Sequence, residues 1–89
     1  MTQLQEIDDL LARMVELLRL GELDDWATAL ERQRASLSHD IADTTRTIKG
    51  MYGGTGSLND IVLFRAGLLL HQENDEFESL RSELYALLP

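Results

Sequence analysis

The stretch GMYGGTGSLNDIVLFRAGLLL, residues 50–70, decides the fold. Gly53, Gly54 and Gly56 crowd together and are followed by Ser57 and Asn59-Asp60, a composition that stops a helix and makes a turn-rich loop. Beyond the loop stand two apolar runs, Ile61-Val62-Leu63-Phe64 and Leu68-Leu69-Leu70, separated by Arg65-Ala66-Gly67. Short apolar runs around a glycine-bearing turn predict a β-hairpin. A lone hairpin is marginal in water, so this one is expected to pack against helices.

Both flanks supply helices. On the amino-terminal side Thr2 and Gln5 form a capping box, and Leu4, Ile7, Leu11, Met14 and Leu18 follow at helical spacing, widened by Leu10 and Leu17. Gly21 is expected to end this helix as the left-handed residue. A second helix begins near Asp24 or Asp25 and buries Trp26, Leu30 and Leu37. Running it unbroken to Lys49 would make a rod of roughly 37 Å. A compact chain of this size has a radius of gyration of about 12 Å. A break is therefore expected within Ser36–Asp40, with Ser38 or Asp40 capping a third helix that buries Ile41, Thr45, Ile48 and Tyr52. On the carboxyl-terminal side Asn74 reads as the N-cap of a fourth helix, with Asp75, Glu76 and Glu78 in its first turns and a stripe of Phe77, Leu80, Leu84, Leu87 and Leu88. The predicted fold is mostly α. It is a small domain of about four helices spanning residues 1–89, with a Gly-rich loop and a short β-hairpin between helices three and four.

Charge narrows the function. Sixteen acids stand against eight bases, a formal charge of -8. Such a chain is repelled by nucleic-acid phosphates and attracts basic partners. The plainer interpretation is that the acids keep a small protein soluble. There is no cysteine, so neither a disulfide framework nor a thiolate metal site is available. The first residues carry acids and no positive leader region, and no apolar stretch is long enough to cross a bilayer, so the expected compartment is the cytoplasm, with no membrane partner.

Few motifs suggest chemistry. The Gly-Gly-Thr-Gly-Ser sequence resembles phosphate-wrapping loops, yet Ser57-Leu58 follows the last glycine where a P-loop needs a lysine and a hydroxyl. It also follows a predicted helix, where a dinucleotide loop would follow a strand. Gly53, Gly54, Gly56, Asn59 and Asp60 are therefore assigned to a structural loop, with Gly54 or Gly56 at positive φ. His39 and His71 lack metal-ligand spacing. Glu73-Asn74-Asp75-Glu76 lacks the spaced oxygens and the glycine of a calcium loop. No catalytic residue, metal or cofactor is expected. Trp26 falls on the stripe with Leu30 and reads as core, with an interface anchor as the alternative.

The stretch from Met51 to Leu63 resembles a family of small uncharacterised bacterial proteins with a GG-x-GS-x-ND-x-V/L core. The similarity continues through Gly67, Glu73-Asn74 and Leu80 to Tyr85, roughly residues 40–88. Thr55 departs from it, standing where an apolar residue is expected. The resemblance carries no established activity. By analogy of type, it implies an immunity or antitoxin-like protein that binds a basic toxin or effector domain.

The expected function is thus binding of a protein partner, with no nucleic acid involved, through acids on two helices. Glu6, Asp9, Arg13 and Glu16 share the solvent side of the first helix, and Asp75, Glu76 and Glu83 that of the last. Asp9, Glu16, Glu76 and Glu83 are the candidate contacts. The alternative is a small homodimeric module in which the Leu4, Ile7, Leu11, Met14, Leu18 seam pairs with a second copy.

Overall fold

A computed structural model describes residues 2–53 and 56–89. Helix α1 (Gln3–Leu20) leads to α2 (Asp24–Ser36), α3 (Ile41–Gly50), a short 3-10 turn (Leu58–Asp60), strands β1 (Phe64–Arg65) and β2 (Leu68–Leu69), and α4 (His71–Leu87). The expected class holds: four helices, with a two-stranded antiparallel hairpin between the third and fourth.

Helix α1 is the spine, packed against both α2 and α4. Thr2 caps it as expected, its Oγ1 accepting from the Gln5 N–H at 3.2 Å. Ile7, Leu11, Met14, Val15, Leu17 and Leu18 are buried. Fully burying each such leucine or isoleucine stabilises by about 1.5–3 kcal/mol. Most of the seam proposed for pairing with a second copy is therefore the domain's own core, and that route to a dimer is closed; only Leu4 stays at the surface.

Gly21 is not the left-handed residue. Its φ is -81°, and Glu22 takes the positive value of 62°. The Leu23 N–H donates to the Leu18 carbonyl at 2.8 Å and the Glu22 N–H to that of Arg19 at 3.1 Å, which is the Schellman pattern displaced by one residue. Glycine is needed at 21 for a different reason. A Cβ there would lie 2.8 Å from Leu63 Cδ2 and 3.2 Å from Leu63 Cβ, and Leu63 is fully buried.

The chain breaks after Ser36 as the size argument requires, and the radius of gyration is 12.6 Å. The Asp40 carboxylate caps α3, accepting from the Asp43 N–H at 3.0 Å. Thr45, Ile48 and Tyr52 are buried, but Ile41 is 46% exposed, against expectation. The core lies beneath the later turns of α3, where Thr44, Thr45 and Ile48 sit, and the first turn overhangs it. Trp26 is half-buried against the core edge.

The hairpin turns at Ala66-Gly67, with φ of 51° and 78°. Two successive positive φ values in a two-residue loop suit the right-handed twist of the flanking strands. Phe64 pairs with Leu69 and Arg65 with Leu68. Helix α4 starts at His71, so Asn74 is inside it and not its cap, and Glu73 is the acid of the first turn. The Asn74 side chain does tertiary work instead. Its Oδ1 accepts from the Leu63 N–H at 2.8 Å, and its Nδ2 donates to the carbonyls of Leu63 (3.0 Å) and Leu70 (2.8 Å). The Leu70 N–H donates to the Leu63 carbonyl at 3.1 Å. This clamp closes the base of the hairpin and steers the chain into the helix with Leu70 at the cap position, four residues earlier than Asn74.

Candidate functional site

Helices α1 and α4 run antiparallel. Gln3 donates to the Leu87 carbonyl near one end, and Arg13 meets Glu76 farther along. Facing each other across this seam are the helical positions expected to carry exposed acids.

The four candidate acids do not act alike. Arg13 grips Glu76 with two parallel hydrogen bonds, Nε to Oε2 at 2.6 Å and Nη2 to Oε1 at 3.0 Å, and its Nη1 reaches Glu16 at 3.1 Å. The Arg13 guanidinium holds the Glu76 carboxyl below the usual range, chiefly through this hydrogen bond. In return the two carboxylates raise the affinity of Arg13 for its proton. Arg13 therefore offsets one of the two negative charges of Glu16 and Glu76, and its contact with Glu76 bridges the helices. Sequence spacing could have found the Arg13–Glu16 pair at i, i+3, but nothing local could have found Glu76.

Asp9 and Glu83 are in a different situation. Together with Glu6 they rim a groove of about 450 Å³ whose remaining lining is Leu10, Ala86 and Leu87. Among the described residues none of these three carboxylates meets a basic group. Asp9 accepts a hydrogen bond from Gln5 Nε2 at 2.9 Å, which orients it without cancelling its charge. An apolar floor with an uncompensated acidic rim suits a long basic side chain, whose methylene stem lies on the floor while its head meets the carboxylates. Glu6, on the solvent side of α1 and not among the four candidate contacts, lies beside Asp9 and Glu83 in this groove.

The glycine loop offers no comparable site. Gly56 has a φ of 76°, and its N–H donates to Asp60 Oδ2 at 2.7 Å. A carboxylate thus occupies the place at this N–H where a phosphate-binding loop would need an anion from outside. Ser57 Oγ accepts from the Asn59 N–H, and the Asn59 amide donates to the Tyr52 carbonyl. Gly53 is exposed. Gly54, with Thr55, lies outside the described residues. Next to the loop, the Tyr52 hydroxyl donates to the Arg81 carbonyl at 2.8 Å and its ring lies 4.9 Å from that of Tyr85. Burial pushes the Tyr52 hydroxyl well above the ordinary tyrosine value, so it acts as a structural donor. His39 and His71 are both exposed. Among the described residues no cluster of metal-ligating side chains forms, and no helix is long and apolar enough to cross a membrane.

A family model described as Domain of unknown function (DUF6966) matches residues 19–71. The chain belongs to this family. The match begins and ends earlier than the resemblance over roughly residues 40–88. It takes in the DUF6966 chain's second and third helices, the glycine loop and the hairpin, while Glu6, Asp9 and Glu83 stand on the helices outside it. No curated protein and no solved structure matches the chain.

Proposed function

We propose that this DUF6966 chain is a non-catalytic cytoplasmic binding protein of the immunity or antitoxin kind, which neutralises a bacterial toxin or effector by covering a basic surface on it. The observation that carries the proposal is the groove between α1 and α4, where Glu6, Asp9 and Glu83 surround Leu10, Ala86 and Leu87 and meet no basic group among the described residues. Uncompensated carboxylates at one place raise the local negative potential and accelerate the approach of a basic partner. The apolar floor supplies contacts that slow its departure.

The test is growth protection. The gene adjacent to this one is expressed under tight control in a heterologous bacterium, with and without the DUF6966 chain. Protection by the parent, and its loss in a folded Glu6→Gln, Asp9→Asn, Glu83→Gln variant, is the expected result. Absence of any toxicity to relieve, or equal protection by the variant, contradicts the proposal.

A further inference from the structure

Tyr52 leaves α3 and lies against α4, where its ring meets that of Tyr85 with the two planes inclined at 56°. The pair walls a groove of about 350 Å³ whose other lining is Asn59, Arg81 and Ser82. This lining holds a cation and no carboxylate, in a chain of sixteen acids and eight bases. The grooves at Glu6 and Glu83, at Asp8, at Asp75 and Glu78, and at Asp60 all carry acids. Nor does either tyrosine wall bring a negative charge through Tyr52, whose hydroxyl burial keeps protonated.

Arg81 is half-buried and held in position with most of its donors free. Its Nη1 donates to the Leu58 carbonyl at 3.4 Å, and its guanidinium carbon lies 6.0 Å from the centre of the Phe77 ring. A guanidinium has five N–H donors, and among the described residues the others of Arg81 find no acceptor. Asp75 and Glu78 share a neighbouring groove with Arg81, but among the described residues neither pairs with it. A second positive charge stands close by. Lys49 Nζ is 5.5 Å from the centre of the Tyr85 ring and donates to the Pro89 carbonyl at 3.0 Å.

We propose that this groove binds a small organic monocarboxylate, with the carboxylate on Arg81 and a planar apolar body against the rings of Tyr52 and Tyr85. The guanidinium fork matches a carboxylate with two parallel N–H groups, so one arginine is enough to orient it. Tyrosine rings favour a flat apolar body, which can stack offset or edge to face. The hydroxyls of Ser82 and Tyr85 line the same groove and are further donors. The chain's own charge selects against more highly charged ligands. A phosphate carries roughly twice the charge of a carboxylate and is repelled accordingly by a body of net charge -8. The groove shares no residue with the acidic groove between α1 and α4, so this site stands apart from the toxin-binding proposal.

The test is a nuclear magnetic resonance titration of the isotope-labelled full chain with phenylacetate, its neutral analogue phenylacetamide, and inorganic phosphate. Each is added to about 10 mM, the weak end of the affinity scale. Phenylacetate should move the amide signals of Asn59, Ser82 and Tyr85 along a saturating curve, and the other two should bind at least tenfold more weakly. Arg81→Lys keeps the charge and loses the fork, and it should weaken phenylacetate at least tenfold. Tyr85→Leu leaves Arg81 in place and replaces a ring that is 47% exposed, so it should fold like the parent and bind severalfold more weakly. Signals remote from the groove report whether each variant is folded. No saturating shift at these residues, an equal response to phenylacetamide or phosphate, or a folded variant that binds like the parent overturns the proposal.

Discussion

The groove between α1 and α4 and the hairpin are two surfaces built on opposite principles. The groove sets three carboxylates, none in contact with a base among the described residues, around a small apolar floor. The hairpin sets exposed apolar groups in the most acid-poor part of the chain. One is suited to an oppositely charged partner, and the other offers apolar surface. They also depend on different internal ties: Arg13 to Glu76 beside the groove, and Asn74 to Leu63 beneath the hairpin. The comparison teaches that the net charge of a small protein does not describe its surfaces. Arg13 offsets one charge of the Glu16 and Glu76 pair, and among the described residues the acids one to two turns away meet no base.

Separating the two ties gives the largest expected effect first. Asn74→Asp keeps an acceptor for the Leu63 N–H but sets an ionised oxygen against the carbonyls of Leu63 and Leu70. Stability should fall by about 2–3 kcal/mol in chemical denaturation. The loss should be accompanied by exchange of the hairpin amides while those of α1 remain protected. Uniform loss of protection would mean that hairpin and groove are one cooperative unit.

Gly56→Ala should cost about 1 kcal/mol, since a Cβ is disfavoured at its φ of 76° even though nothing lies within reach of it. A parent-like melting curve would show that the loop leading to the hairpin does not need this conformation.

The smallest effect belongs to the groove side. The Glu76 carboxyl is held below its ordinary value, so its contribution is complete above about pH 4.5 and is lost as pH falls through the depressed value. Arg13 and Glu76 are both well exposed, so solvent screening limits the pair to about 0.5–1 kcal/mol. Arg13→Ala should remove that amount at neutral pH and flatten the acid limb of the stability curve. A limb of unchanged slope would take Glu76 out of the account.

Much of this architecture was legible in sequence because it rests on local rules. The capping box and leucine spacing gave α1, the glycine cluster gave the loop, and the runs around Arg65-Ala66-Gly67 gave the hairpin. The misreadings came where a residue suited to a local task performs a distant one. Asn74 has the chemistry of a cap, yet its hydrogen bonds reach Leu63, eleven residues back. Gly21 has the position of a helix stop, yet its missing side chain makes room for Leu63. Ile41 lies on the buried stripe of α3 but one turn beyond the core. At the candidate site, helical spacing placed Asp9 and Glu83 on solvent faces. The pairing of those faces, and the capture of Glu76 by Arg13, depend on how two helices sixty residues apart in the chain are set side by side.

The claim that the groove and the hairpin answer to opposite forces is tested most directly by salt. The association rate with the product of the adjacent gene is measured at low and high ionic strength for the parent, for Glu6→Gln, Asp9→Asn, Glu83→Gln combined, and for Leu68→Lys. The parent rate should fall by about 10-fold or more as salt rises, and the triple variant should be slow and nearly flat. Leu68→Lys should follow the parent. A flat response in the parent, or a triple variant as fast and as salt-sensitive as the parent, would contradict the account and leave the groove acids with no part in recognition.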